Sequence, residues 1–134
     1  MEEHITEEVV KELEDIQRFL EQDLKQQATA EPEILVERLS ILNAMMARTG
    51  FLLAVAKADQ DRATKRVFQE YKSDICALPT SLAHKFINAC CDRENFYATW
   101  LDRLNRDCVH HSDNIRTQVS FAKQNMAMVG RGYN

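Results

Sequence analysis

Two stretches of this chain run for more than forty residues with almost nothing in them that stops a helix. From Glu33 to Ile75 there is one glycine, Gly50, and no proline; from Ser81 to Val129 there is neither. The whole chain holds three glycines and two prolines. Sheets need such residues at their turns, so an all-β or α/β chain of 134 residues would be short of them. The expectation is an all-α fold. Hydrophobic residues at 45% and charged residues at 28% suit one globular domain over 1–134 and argue against a disordered chain.

Apolar periodicity divides that domain into helices at about 6–27, 33–75 and 81–129, with a frayed tail at 130–134. Thr6 is placed to cap the first helix, and Glu7 and Glu8 favour its positive end. Val9, Leu13, Ile16, Leu20 and Leu24 form one stripe with Phe19 beside it. Residues 28–31 make a short connection, and Pro32 fits the first turn of the second helix. There Leu35, Leu39, Leu42, Met46, Thr49, Leu53, Ala56, Gln60, Ala63 and Val67 advance in steps of four and three, the seam of a long helix packed on another. Pro79 ends that helix, and Thr80 or Ser81 can cap the next. A second seam follows through Leu82, Phe86, Cys90, Tyr97, Trp100, Leu104, Cys108, His111, Ile115, Val119, Ala122 and Met126, with polar Arg93 in one gap. Asp92 leaves open a separate helix start after Cys91.

A short turn between long helices makes them antiparallel neighbours. A turn centred near Leu78 and Pro79 pairs positions summing to about 157, such as Leu53 with Leu104 and Met46 with His111. The first half of the second helix carries extra apolar residues, Ile34, Ile41, Met45, Leu52 and Val55, where the second half has Asp59, Arg62 and Arg66. A wide apolar face must be covered from two sides. The pattern therefore predicts a long antiparallel helical hairpin with an N-terminal helix packed on one end, a three-helix bundle tapering to a two-helix tip. Such a tip buries little surface alone, so a homo-oligomer is expected.

Charge is uneven. Residues 1–33 hold eleven acidic and three basic side chains, while the rest hold fourteen basic and ten acidic. The acidic start and the lack of an apolar run behind it do not resemble a secretory signal, and Phe51 to Ala56 is too short to span a bilayer. The four cysteines, Cys76, Cys90, Cys91 and Cys108, lack the spacing of a disulfide framework. These features lead to the expectation of a cytoplasmic protein with no membrane contact.

Chemistry-bearing motifs are sparse. Cys108 and His111 are spaced like helical metal ligands, but no second pair is evident to complete a site, and the pair suits a polar step in the seam better. Ser120 and Lys123 match S-x-x-K without the companion motifs of acyl-transferases. P-loops, H-E-x-x-H, Gly-rich dinucleotide loops and paired Glu-x-x-His motifs are absent, so neither a cofactor nor enzymatic activity is expected. A basic face is more informative. Arg62, Lys65, Arg66, Gln69 and Lys72 share it, Phe68 and Tyr71 adjoin it, and Lys85 and Phe86 approach from across the turn. Positive charge with aromatics can hold phosphates and stack single-stranded bases, though Asp59, Asp61, Glu70 and Asp74 dilute the field.

The run Trp100-Leu101-Asp102-Arg103-Leu104-Asn105-Arg106, followed by His111, Asp113, Ile115-Arg116-Thr117, Ser120 and Lys123, resembles small helical proteins of bacteriophages and prophages. Their genes often lie near those of DNA replication and recombination. The resemblance covers the last third of the chain and implies a setting in phage DNA metabolism, with no catalytic residues to carry over. The expected role is a non-enzymatic helical interaction protein with a protein partner or a second copy. The alternative is an accessory that binds nucleic acid through the basic face.

Overall fold

The computed structural model describes residues 4–26 and 31–132, with the side chains of 24–26 and 130–132 left aside. Among them the chain is helical throughout: α1 (Glu7–Gln26), α2 (Pro32–Glu70), α3 (Lys72–Cys76), α4 (Thr80–Cys90) and α5 (Asp92–Gly132). The connection expected at 28–31 and the end of the tail at 133–134 fall largely outside the described residues. The Oγ1 of Thr6 accepts from the Val9 N–H at 3.3 Å and caps α1, and Pro32 opens α2. On α1, Leu13, Ile16 and Leu20 are buried with Val9 and Phe19 packed beside them.

The main packing joins α2 to α5. Buried Leu35, Leu42, Thr49, Ala56 and Ala63 recur at seven-residue intervals along α2, with Leu52 and Val67 beside them. From α5 come Ala98, Leu101, Leu104, Cys108 and Ile115. Gln60 Nε2 donates to Asn95 Oδ1 at 2.6 Å, Thr64 Oγ1 lies 4.0 Å from Cys91 Sγ, and Asn105 Nδ2 donates to Met46 O at 3.0 Å and Thr49 Oγ1 at 3.1 Å. Residue numbers rise on one helix as they fall on the other, and the first two pairs sum to 155. That sum lies close to the expected sum of about 157, and Asn105 reaches both the Met46 carbonyl and the Thr49 hydroxyl.

The long helix expected at 33–75 is interrupted, and of the two readings left open for 81–129 the structure has the divided one, with a new helix from Asp92. Tyr71, at φ −116° and ψ 27°, bends the chain between α2 and α3 while its N–H still reaches Val67 O. Cys91, at φ −106° and ψ 23°, does the same between α4 and α5. Asp92 and Glu94 in the first turn of α5 favour a new helix start there. The bends let Ile75 and Cys91 enter a second small core with Ala63 and Val67, against which Ala83, Phe86 and Ile87 pack. The tip is thus built from α3 and α4 as well as the ends of α2 and α5. Neither Thr80 nor Ser81 caps α4: Thr80 is already its first residue, and Pro79 O accepts from the Ala83 N–H instead. At the other end α5 continues past Val129 to Gly132.

Gly50 does not break α2, and its φ is not positive. A Cβ there would sit 3.6 Å from Asn105 Nδ2, an ordinary contact. Gly50→Ala should therefore raise unfolding stability by up to about 1 kcal/mol through helix propensity. Urea denaturation followed by circular dichroism checks this; a loss of stability would show that the Asn105 amide needs the bare backbone.

Candidate functional site

The start of the described chain closes a cleft of about 360 Å³ lined by His4, Asp59, Arg62 and Arg66 on one side and by Arg93, Glu94 and Tyr97 of α5 on the other. Asp59 organises it. His4 Nδ1 donates to the Asp59 carboxylate at 2.8 Å, the Ile5 N–H at 3.4 Å, and Arg62 pairs with the same carboxylate. Burial alone would raise the Asp59 carboxyl, but the hydrogen bonds from His4, Arg62 and Ile5 together outweigh it and hold the group below its ordinary value. Arg66 reaches Glu94 at 3.8 Å, and the Arg93 guanidinium lies over the Tyr97 ring at 5.7 Å.

A carboxyl depressed in the fold contributes stability above its unfolded pKa and loses it as pH falls through the folded one. Asp59→Asn should therefore lower stability at neutral pH by about 1 kcal/mol, the upper range for partly exposed ion pairs. The gap from the parent protein should shrink below about pH 4, the ordinary carboxylate range. Denaturant melts at pH 3 to 7 measure it, and a gap that does not change with pH would refute it.

The basic face predicted from sequence is only partly assembled here. Arg62 and Arg66 turn into the cleft, where they meet Arg93, which periodicity had placed within the seam. Lys65, Lys72 and Lys85 are exposed, on α2, α3 and α4 respectively. Phe68 and Tyr71 are both exposed; Tyr71 meets Phe86 edge to face at 5.4 Å, and Phe86 packs against the second small core. On α5, Phe96, Tyr97 and Trp100 form a run of ring contacts beside the arginines, with Phe96 60% exposed. The sequence signal for that aromatic run was its i, i+1, i+4 spacing next to Arg93.

Cys108 and His111 take separate partners. Burial pushes the Cys108 thiol up to about 11, with Asp107 adding to the shift and a hydrogen bond to Thr49 opposing it. A thiol so placed stays protonated and is a poor nucleophile or ligand. His111 Nδ1 donates to Asp23 Oδ2 at 2.7 Å, and Arg38 Nη1 donates to Asp23 Oδ1 at 2.8 Å. Asp23 is wholly buried. Sequence reading missed it, although its position three residues after Leu20 continues the apolar stripe. Among the described residues no group of three or more His, Cys, Asp and Glu converges as metal ligands would.

The far end of α5 presents a different surface. In the register of the α2–α5 contacts, Pro32 at the start of α2 lies opposite Lys123. The seam Ile115, Val119, Ala122, Met126, Val129 keeps its steps of four and three across that boundary. Ile115 is fully buried, while Met126 is 71% exposed and Val129 60%. Nothing of α2 faces the last nine residues of α5, about 13 Å of helix.

No family model, curated protein or solved structure matches this chain.

Its surfaces can then be judged only by their chemistry. The cleft offers guanidinium groups partly matched by carboxylates, which suits charge recognition and includes no activated nucleophile. The end of α5 offers an apolar ridge that extends beyond the start of α2. By length and composition α2 would also suffice to cross a membrane, and 28% of that apolar stretch is buried. Three polar side chains within α2 are bonded to neighbouring helices: Arg38 to Asp23, Arg48 to Glu12 at 2.8 Å, and Thr49 to Asn105.

Proposed function

We propose that this chain is a non-enzymatic helical interaction protein that self-associates, an accessory of phage or mobile-element biology. In this reading α2 and α5 form an antiparallel hairpin, α1 completes a three-helix end, and the seam of α5 is used twice. Its first part packs inside the protomer and its last part packs on another protein. The observation that carries the reading is the continuity of that seam through Met126 and Val129 beyond the start of α2. A heptad-like stripe sustained beyond the start of the helix it packs on is the pattern of a helix that meets a partner elsewhere. The phage setting rests on the resemblance of residues 100–123.

Sedimentation velocity across a concentration series tests self-association. Mass should rise with concentration, and Met126→Glu should abolish the rise while leaving the helical signal intact. A strict monomer at the highest concentrations would end this reading.

A second reading is favoured by the arginine cleft, where Arg62, Arg66 and Arg93 stand beside the exposed ring of Phe96. Guanidinium groups next to an open aromatic suit a single-stranded nucleic acid. Labelled oligonucleotides should bind at low salt and be released as salt rises, with Arg66→Glu and Arg93→Glu weakening binding. Absence of binding at low salt, where phosphate contacts are strongest, would remove it.

A further inference from the structure

The end of α5 exposes apolar side chains, and a groove between α1 and α2 holds a surface of matching character. The groove is open, about 490 Å³ in volume, floored by Ile16, Phe19, Ala44 and Met45 and edged by Glu12 and Asp15, with Arg48 of α2 paired to Glu12 at its rim. Nearly all its exposed surface is apolar. The helix that forms one wall, α1, carries seven acidic and three basic side chains. The end of α5 is its complement: from Asn114 onward the sequence has no acidic residue and three basic ones, Arg116, Lys123 and Arg131. Its apolar side chains, Phe121, Met126, Met128 and Val129, are all at least 60% exposed.

We infer that the end of α5 docks in the α1–α2 groove of a second copy of this chain. This rests on the self-association reading and specifies its interface. The occupant is another copy because the same chain cannot supply it. α5 runs straight on past the start of α2, whereas Ala44 lies twelve residues, about 18 Å, back along α2 in the opposite direction. An amphipathic helix laid in an apolar groove is a recurrent mode of recognition, and opposite charges along its flanks orient it. Groove and ridge are different patches, so the contact is heterologous: each copy gives one helix end and offers one groove. Copies either exchange ends in a closed pair or extend into a chain.

Complementation tests this with two exposed substitutions. Ala44→Lys places a bulky positive charge in the groove, and Met126→Glu places a negative one on the ridge. Each variant alone should sediment as a monomer at concentrations where the parent protein associates, with the dissociation constant raised at least tenfold. Their equimolar mixture should form heterodimers, because it retains one intact ridge and one intact groove, and should not grow further. Circular dichroism melts of both variants confirm that they fold. If Ala44→Lys associates as the parent does, the ridge docks elsewhere, ridge on ridge included, and the groove proposal is overturned while self-association stands. If both variants are monomers and their mixture stays monomeric, the heterologous contact is likewise refuted. A parent protein that never associates refutes self-association itself.

Discussion

Asp23→Ala should cost about 3–5 kcal/mol of unfolding stability, the range expected when a buried ion pair loses one member. Asp23 has no exposed surface, and its two carboxylate oxygens are bound by Arg38 of α2 and His111 of α5. His111 is itself buried and the Arg38 side chain only 18% exposed. Removing the carboxylate leaves both partners desolvated without the acceptor they were positioned for, and the penalty is that of the orphaned groups. For a chain of this length the melting temperature should fall by roughly 10 °C or more. Asp23→Asn, which keeps shape and one acceptor but not the charge, should fall in between. Guanidinium melts followed by circular dichroism decide it, and a loss under about 1 kcal/mol would mean that water replaces the carboxylate readily. The same residue carries a structural consequence. It is a point where α1, α2 and α5 are all joined by directional bonds through one buried residue.

That node shows where sequence reading stops. The seam of α2 was legible because a seven-residue repeat on a helix has one physical outcome, a continuous buried stripe, and Leu35, Leu42, Thr49, Ala56 and Ala63 are buried together. The stripe of α1 was legible for the same reason. Asp23 was not, since an aspartate at a stripe position is normally solvated, and only the arrival of Arg38 and His111 from remote positions makes its burial tolerable. The arginine cleft was half legible. Arg62 and Arg66 could be placed on one face from spacing alone, but Arg93 joins them only through the pairing of α2 with α5. The bends at Tyr71 and Cys91 carry no glycine or proline to announce them, and both are explained by what they bury.

The bend at Cys91 has a local effect on which side chains near it enter the core. An unbroken helix from Ser81 selects Cys90, Tyr97 and Trp100 for the seam. With the bend, Cys91 is buried and Cys90 exposed, and Ala98 and Leu101 take the inner positions while Tyr97 and Trp100 move to its edge. The two readings merge again at Leu104, Cys108 and Ile115. Leu101 and Trp100 therefore discriminate between them. Leu101 is fully buried, and Leu101→Ala should lower stability by about 2–5 kcal/mol, transfer and cavity contributions together. Trp100 is half-buried at the rim of α1, and its Nε1 donates to Gln17 Oε1 at 2.9 Å in an exposed position. Trp100→Ala should lower stability by only about 1–2 kcal/mol, despite removing the largest side chain in the protein, because much of what it loses is already in contact with water. Denaturant melts of the two variants side by side give the order. A larger loss for Trp100 than for Leu101 would restore the unbroken helix and with it the register that puts Cys90 inside.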